Sequence, residues 1–143
     1  MPANGFSIGR DISLTVFSSA GVIGTAGLTA FEARQITSEI RQSLLSGQLL
    51  AAYLPEGWQG VAEFTRLDAG LDDWFAAAEA GYYAGAPATS VEITETITNP
   101  DGSISQFVYQ KVALRLETPG AWAGGKEVKQ RVAWIAARRI RMA

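Results

Sequence analysis

Four places in this 143-residue chain carry the residue types of a chemical site. Gly120 and Gly125-Lys126 have the G-x-x-x-x-G-K spacing of a loop whose backbone N–H groups cradle phosphates. Such a loop needs a hydroxyl next, to hold magnesium, and a helix after it. Glu127 stands where the hydroxyl belongs, and its charge would repel phosphate. Asp72-Asp73 has the composition of an acid–base pair, but neighbours in a helix point apart, and placement in a first helical turn accounts for both. Glu92 and Glu95 sit in an alternating run and face opposite ways. Arg138, Arg139 and Arg141 could touch phosphates. A solvated face or an intersubunit contact explains them as well, and a nucleic-acid binder would show a basic total with aromatics among its cations.

The rest of the composition removes most routes to catalysis. There is no histidine and no cysteine, hence no imidazole base, no thiolate nucleophile and no Cys/His metal set. Nothing assembles a nucleophile, a base and an oxyanion hole. The chain reads as a non-enzyme with no metal and no cofactor. Its formal charge is −2, unevenly spread: residues 1–117 hold 6 basic and 13 acidic side chains, and residues 118–143 hold 6 basic and 1 acidic. Two solvated faces would explain the split, as would a molecule whose positive surface meets the negative surface of its own copy. Residues 12–31 are uncharged, but nearly half are Ser, Thr or Gly, a poor transmembrane helix. The first nine residues hold no basic side chain, unlike a secretory signal. A soluble protein, with no membrane partner, is expected.

The elements follow from periodicity. "DISLTVF" alternates apolar and polar residues as a half-buried strand does, and glycines 21, 24 and 27 then mark a loop. Residues 28–42 are polar with isolated apolar positions, fitting a long extended strand or an arm. "LLSGQLL" places Leu44, Leu45, Leu49 and Leu50 around Ser46-Gly47 as an apolar tip, unusual unless something covers it. More strand material follows, with Gly57 and Gly60 as breaks. "LDDWFAAAEAGYY" is the one clear helix: Leu71, Trp74, Phe75, Ala78 and Tyr82 share a face, Asp68 caps its start, and Gly85 and Pro87 end it. "ITETITNPDGSISQFVYQ" is a hairpin around Asn99-Pro100-Asp101-Gly102, with Val91, Ile93 and Ile97 on one side and Thr94, Thr96 and Thr98 on the other. "KEVKQRVAWIAARRIRM" fits a strand or a helix; Val, Trp and Ile favour the strand. The four tryptophans read as core and loop anchors. The sum is one mainly antiparallel β domain over 1–143 with a single helix, a sandwich or small barrel.

The order of these features resembles bacteriophage tail tube proteins of contractile tails. It rests on "GWQGVAEFTR", "LDDWFAAAEAGYYAG", "ITETITNPDGSISQFVYQ" and "LRLETPGAWAGGKEVKQRV", spanning roughly residues 40–135. The resemblance implies a β-sandwich or barrel flanked by a helix, six copies to a ring, and rings stacked into a hollow tube. DNA and a tape-measure protein would pass through it, and a sheath would surround it. Baseplate or tail-initiator and terminator proteins would bound it, in a virion tail assembled in the bacterial cytoplasm. It implies that an extended arm over 28–50 helps form the inner wall and ring contacts. Leu44, Leu45, Leu49, Leu50, Arg138, Arg139 and Arg141 are then expected at subunit or ring contacts. The lumen must let DNA pass without sticking, so Glu32 or Glu39 is expected to face it, with the arginine run elsewhere.

Two other readings stay open. The same ring could serve a tailocin, a gene-transfer agent or a type VI secretion system. A monomeric β-sandwich binding module could instead use Trp58, Tyr82, Tyr83 or Trp122 as a ligand platform.

Overall fold

The computed structural model describes residues 12–18, 21–23, 27–67, 69–87, 90–120 and 122–142. Its elements run β1 (Ile12–Ser18), β2 (Gly21–Ile23), β3 (Leu28–Ser43), β4 (Leu49–Thr65), α1 (Gly70–Tyr83), β5 (Val91–Thr98), β6 (Ile104–Thr118), β7 (Lys129–Ala136) and β8 (Arg138–Arg141). The strands are ordered β2-β1-β5-β6-β7-β4-β3, with β8 also on β6, and each ladder is antiparallel. Among the described residues no ladder joins β2 to β3, so the sheet is open and the barrel alternative is not formed.

β6 is the pivot. Its first part pairs with β5 and β8; from Ala113 onward it pairs with β7. At the change, Lys111 adopts a φ of 52°, and the β5–β6 register slips between Val91↔Val112 and Ile93↔Tyr109. Such a bulge adds a residue to one strand and bends it. The inward positions therefore pass from Tyr109 to Val112, three residues on, and both are fully enclosed. The bend folds one half of the sheet over the other. Tyr109 stands edge-on to Trp134 at 4.8 Å, Trp58 at 6.0 Å and Phe31 at 6.2 Å, while Phe31 stacks on Trp134 at 5.5 Å. Leu14, Val16, Ile93, Phe64 and Val132 belong to the same core. Rings meeting edge-to-face or offset suit the aromatic quadrupole. Trp134 Nε1 is buried there with no acceptor among the described residues.

Several local expectations are corrected. Gly57 and Gly60 lie inside β4 rather than breaking it. A Cβ on Gly60 would come within 1.9 Å of the Glu32 carbonyl oxygen and 2.8 Å of the Trp134 ring, so close packing requires glycine there. Gly57 sits at a second bulge, where the pairs Ile36↔Gly57 and Thr37↔Pro55 leave Glu56 unopposed. Gly21 starts β2, opposite Ser18, so the expected loop is partly strand; Gly24 lies outside the described residues. Glu95 joins Val91 and Ile93 on the buried face of β5, a carboxylate among apolar side chains.

The helix is where the periodicity puts it. Leu71 is buried and Trp74, Phe75 and Ala78 are half-buried, but Tyr82 is 71% exposed because its end of α1 extends past the core. Gly85, at φ 84°, closes the helix: its N–H donates to the Tyr82 carbonyl and that of Ala86 to the Gly81 carbonyl. Ala69 holds the N-cap position and makes no side-chain cap; Asp68 lies outside the described residues. Asp72 instead ties the helix to the sheet. It accepts from Arg66 Nε at 2.9 Å and from Gln130 Nε2 at 2.8 Å, and that buried amide also donates to the Pro119 carbonyl at 3.1 Å.

Candidate functional site

The largest group of unsatisfied apolar side chains is on the β3–β4 hairpin. β7 pairs with β4 only from Trp58 onward, so the hairpin beyond residues 37–55 is a two-stranded ribbon open on both faces. Alternation sorts its side chains. The pairs Ile40↔Ala52, Gln42↔Leu50 and Ser38↔Leu54 give one mainly apolar face; Glu39↔Tyr53, Arg41↔Ala51 and Ser43↔Leu49 give a mixed one, on which Arg41 Nε donates to Glu39 Oε1. Leu45 at the tip is fully exposed, and Ile40, Leu44, Leu49, Leu50, Tyr53 and Leu54 are all exposed. The four leucines picked out in sequence thus divide: Leu44 and Leu45 at the turn, Leu49 and Leu50 on opposite faces. Ile40, Tyr53 and Leu54 escaped notice in the sequence, although the apolar run "LLAAYL" from 49 to 54 signals a strand without a polar face.

A second surface is the outer face of the half formed by β6, β7, β4 and β3. Ladder registers set three arginines, 34, 115 and 131, among three glutamates, 32, 63 and 117. Arg131 Nε donates to Glu117 Oε2 at 2.6 Å and its Nη1 to Glu63 Oε1 at 3.2 Å; Arg115 Nη2 donates to Glu117 Oε1 at 2.8 Å; Arg34 Nε donates to Glu32 Oε1 at 2.6 Å. Hydrogen bonds from Arg131, then Arg115, hold the Glu117 carboxyl below its ordinary range, and Glu117 raises Arg131 in return. Glu32 and Glu39 stand seven positions apart on β3, hence on opposite faces of that strand.

The arginine run divides as well. Arg139 is half-buried opposite Tyr109, its guanidinium 3.7 Å above the Phe107 ring and 4.4 Å from that of Trp58. It faces Glu95, whose carboxyl is raised by burial, an effect the Arg139 charge and the Tyr109 hydroxyl only partly offset. Tyr109 Oη donates to Glu95 Oε2 at 3.4 Å, and burial, then the Glu95 charge, push that phenol up to about 12. Arg139 therefore pins β8 onto the core, while Arg138 and Arg141 are exposed.

The glycine loop does not lead into the helix that a phosphate cradle needs. A strand, β7, follows it instead of a helix, and Arg66 lies 5.6 Å over the exposed ring of Trp122. Asp72 and Asp73 form no dyad, since Asp72 is engaged by Arg66 and Gln130. Among the described residues no cluster of three His, Cys, Asp or Glu could hold a metal, and no helix is long and apolar enough to cross a membrane.

No family model matches the chain, and no curated protein matches it. Its fold, however, recurs in solved structures. A chain of the sheath/tube terminator of PVC, an extracellular contractile injection system, superposes with a TM-score of 0.60 at 13% identity, over 100% of this chain and 96% of that one. A chain of the anti-feeding prophage tube-terminating cap gives 0.61 at 11% identity, over 100% and 95%. A chain of the tail of an empty gene transfer agent particle gives 0.58 at 18% identity, over 96% and 99%. These are structural components of contractile or phage-like tails, and the chain has their tail-tube-like fold.

Proposed function

We propose that this chain is a structural subunit of a tail tube, in which six copies close into a ring and rings stack into a hollow conduit. The observation that carries the reading is the β3–β4 arm: an exposed apolar ribbon on a fold shared, over its whole length, with tail components. Edge strands and apolar ribbons of this size are pairing templates that a partner must cover. In a head-to-tail stack the covering surface is a different part of the next copy, a heterologous contact that repeats without limit. Leu44, Leu45, Leu49 and Leu50 would lie in that contact, and the exposed Arg138 and Arg141 would lie at a subunit contact. The outer face carrying Glu32 would line the channel, leaving Glu39 on the arm. A sheath, a baseplate or initiator, a terminator and a tape-measure protein would be its partners, and DNA would pass without specific binding. The tail would be that of a virion, put together in the host cytoplasm.

A phage-derived particle is the second reading. It is favoured by the neighbours themselves, which come from contractile injection systems and gene transfer agents.

Negative-stain electron microscopy of the purified protein across a concentration series tests the assembly. Rings or tubes of uniform width are expected, either spontaneously or once a baseplate-type nucleus is supplied. A monomer that persists under both conditions overturns the reading in favour of a binding module.

A further inference from the structure

We propose that the outer face of the β6–β7–β4–β3 half is masked against polyanions by its own carboxylates, with Glu117 and Glu63 keeping Arg115 and Arg131 from phosphate. Three arginines on one sheet face would ordinarily make a phosphate-binding surface, since each cation set against a phosphate releases a counterion. Here each arginine already has a carboxylate oxygen at hydrogen-bond distance, from 2.6 to 3.2 Å. The partners are fixed by the ladder. Glu63 stands directly opposite Arg131, and Arg131 in turn lies opposite Thr118, beside Glu117. Glu117 serves two arginines, one with each oxygen. The hydrogen bonds from Arg131 and Arg115 hold the Glu117 carboxyl below its ordinary range. A phosphate arriving at these three arginines would replace bonds already made, because within this network three cations meet three anions; Lys129, next to Arg131 on the same exposed face of β7, lies outside the network.

Such a face differs from an acidic wall. It neither repels nor retains a nucleic acid, and it does so with arginines in place. This deepens the channel reading above, and its bearing on passing DNA rests on that reading. The masking itself belongs to the subunit and can be measured on it.

The test compares the protein with Glu63→Gln/Glu117→Gln for binding to a fluorescently labelled random-sequence DNA duplex over a salt series. The wild type is expected not to bind. The double variant is expected to bind at least about tenfold more tightly, with a salt slope steeper by about 2 as two arginines reach phosphates. Glu79→Gln/Glu127→Gln changes net charge equally on exposed sites outside this ion-pair network, and is expected to gain nothing. Adding Arg115→Ala/Arg131→Ala to the double variant should remove the gained binding. Wild-type binding equal to that of the variant, an equal gain in the charge control, or a gain that survives loss of both arginines overturns the proposal. If the double variant does not fold, Glu117→Gln alone is used, and a folded single variant with no gain overturns it too. Microscopy of the same samples separates the two readings: DNA binding gained by a protein that never forms rings upholds the masking and removes the channel.

Discussion

Two hairpin turns in this molecule share a backbone and differ in what their side chains do. In Leu44–Gln48 and in Asn99–Ser103 alike, the first N–H donates to the fifth carbonyl at 2.8 Å and the fourth N–H returns to the first carbonyl at 2.9 Å. A glycine takes the fourth place in each, at φ 87° and 88°, where a side chain would be strained. In the Asn99 turn the polar side chains close on the turn itself. Asn99 Nδ2 donates to Ser103 Oγ and Ser105 Oγ, and Asp101 Oδ1 accepts from both the N–H and the hydroxyl of Ser103. In the Leu44 turn the first two places are leucines, the second fully exposed. One turn is complete within its own chain; the other has the same geometry and an apolar surface left exposed, which in the proposed tube a neighbouring copy would cover.

The comparison can be broken most sharply at the arm. Leu45→Asp/Leu49→Asp is expected to abolish rings and tubes while leaving the thermal midpoint of the monomer unchanged, because both side chains are exposed. Electron microscopy beside a melting curve reads both, and a parallel fall in stability would contradict an arm that stands free of the core.

The core should respond in the opposite way. Trp134→Ala is expected to destabilise the monomer by about 3–5 kcal/mol through the cavity it leaves beneath Phe31 and Tyr109. Trp134→Phe should stay within about 1.5 kcal/mol, since it keeps a ring and removes a buried N–H that has no acceptor. Denaturant unfolding distinguishes them. Equal losses would mean that the indole N–H does find a partner.

The smallest effect belongs to the Asn99 turn. Hydrogen bonds from the Ser103 hydroxyl and backbone hold the Asp101 carboxyl below its ordinary 3.8. An acid whose folded value is depressed adds stability above its unfolded value, and that stability is lost as pH falls through the folded value. Asp101→Ala should therefore lower the melting temperature slightly at neutral pH, with the gap to wild type closing below about pH 4. Ser46→Ala in the matching arm turn should show no such pH-dependent gap.

Much of this was legible from local pattern. The β5–β6 hairpin was, because Asn-Pro-Asp-Gly between alternating runs specifies a turn by side-chain chemistry that acts within a few residues. The helix was, through the spacing of Leu71, Trp74, Phe75 and Ala78. The switch of inward positions from Tyr109 to Val112 is visible as a broken alternation once the bulge is known. Glu95 faces away from Glu92, as the alternation requires, but its burial was not legible, since a glutamate in an alternating run is ordinarily solvated and its partners Tyr109 and Arg139 come from other strands. Gly60 looked like a strand break because glycine usually is one; its reason is a neighbouring backbone and an indole contributed from other strands.

The sequence by itself determined the period of each element, the chemistry of its turns and the absence of imidazole and thiol chemistry, all of which act over a few residues or none. Tertiary structure alone decided which charges meet. Arg131 reaches Glu63 across 68 positions of chain, and Gln130 reaches Asp72 across 58. Arg139, one of three similar arginines, lies against Phe107 and Trp58, while Arg138 and Arg141 stay outside. Such pairings depend on strand register and on a bend at Lys111, and both are settled by the packing of distant residues around one aromatic core.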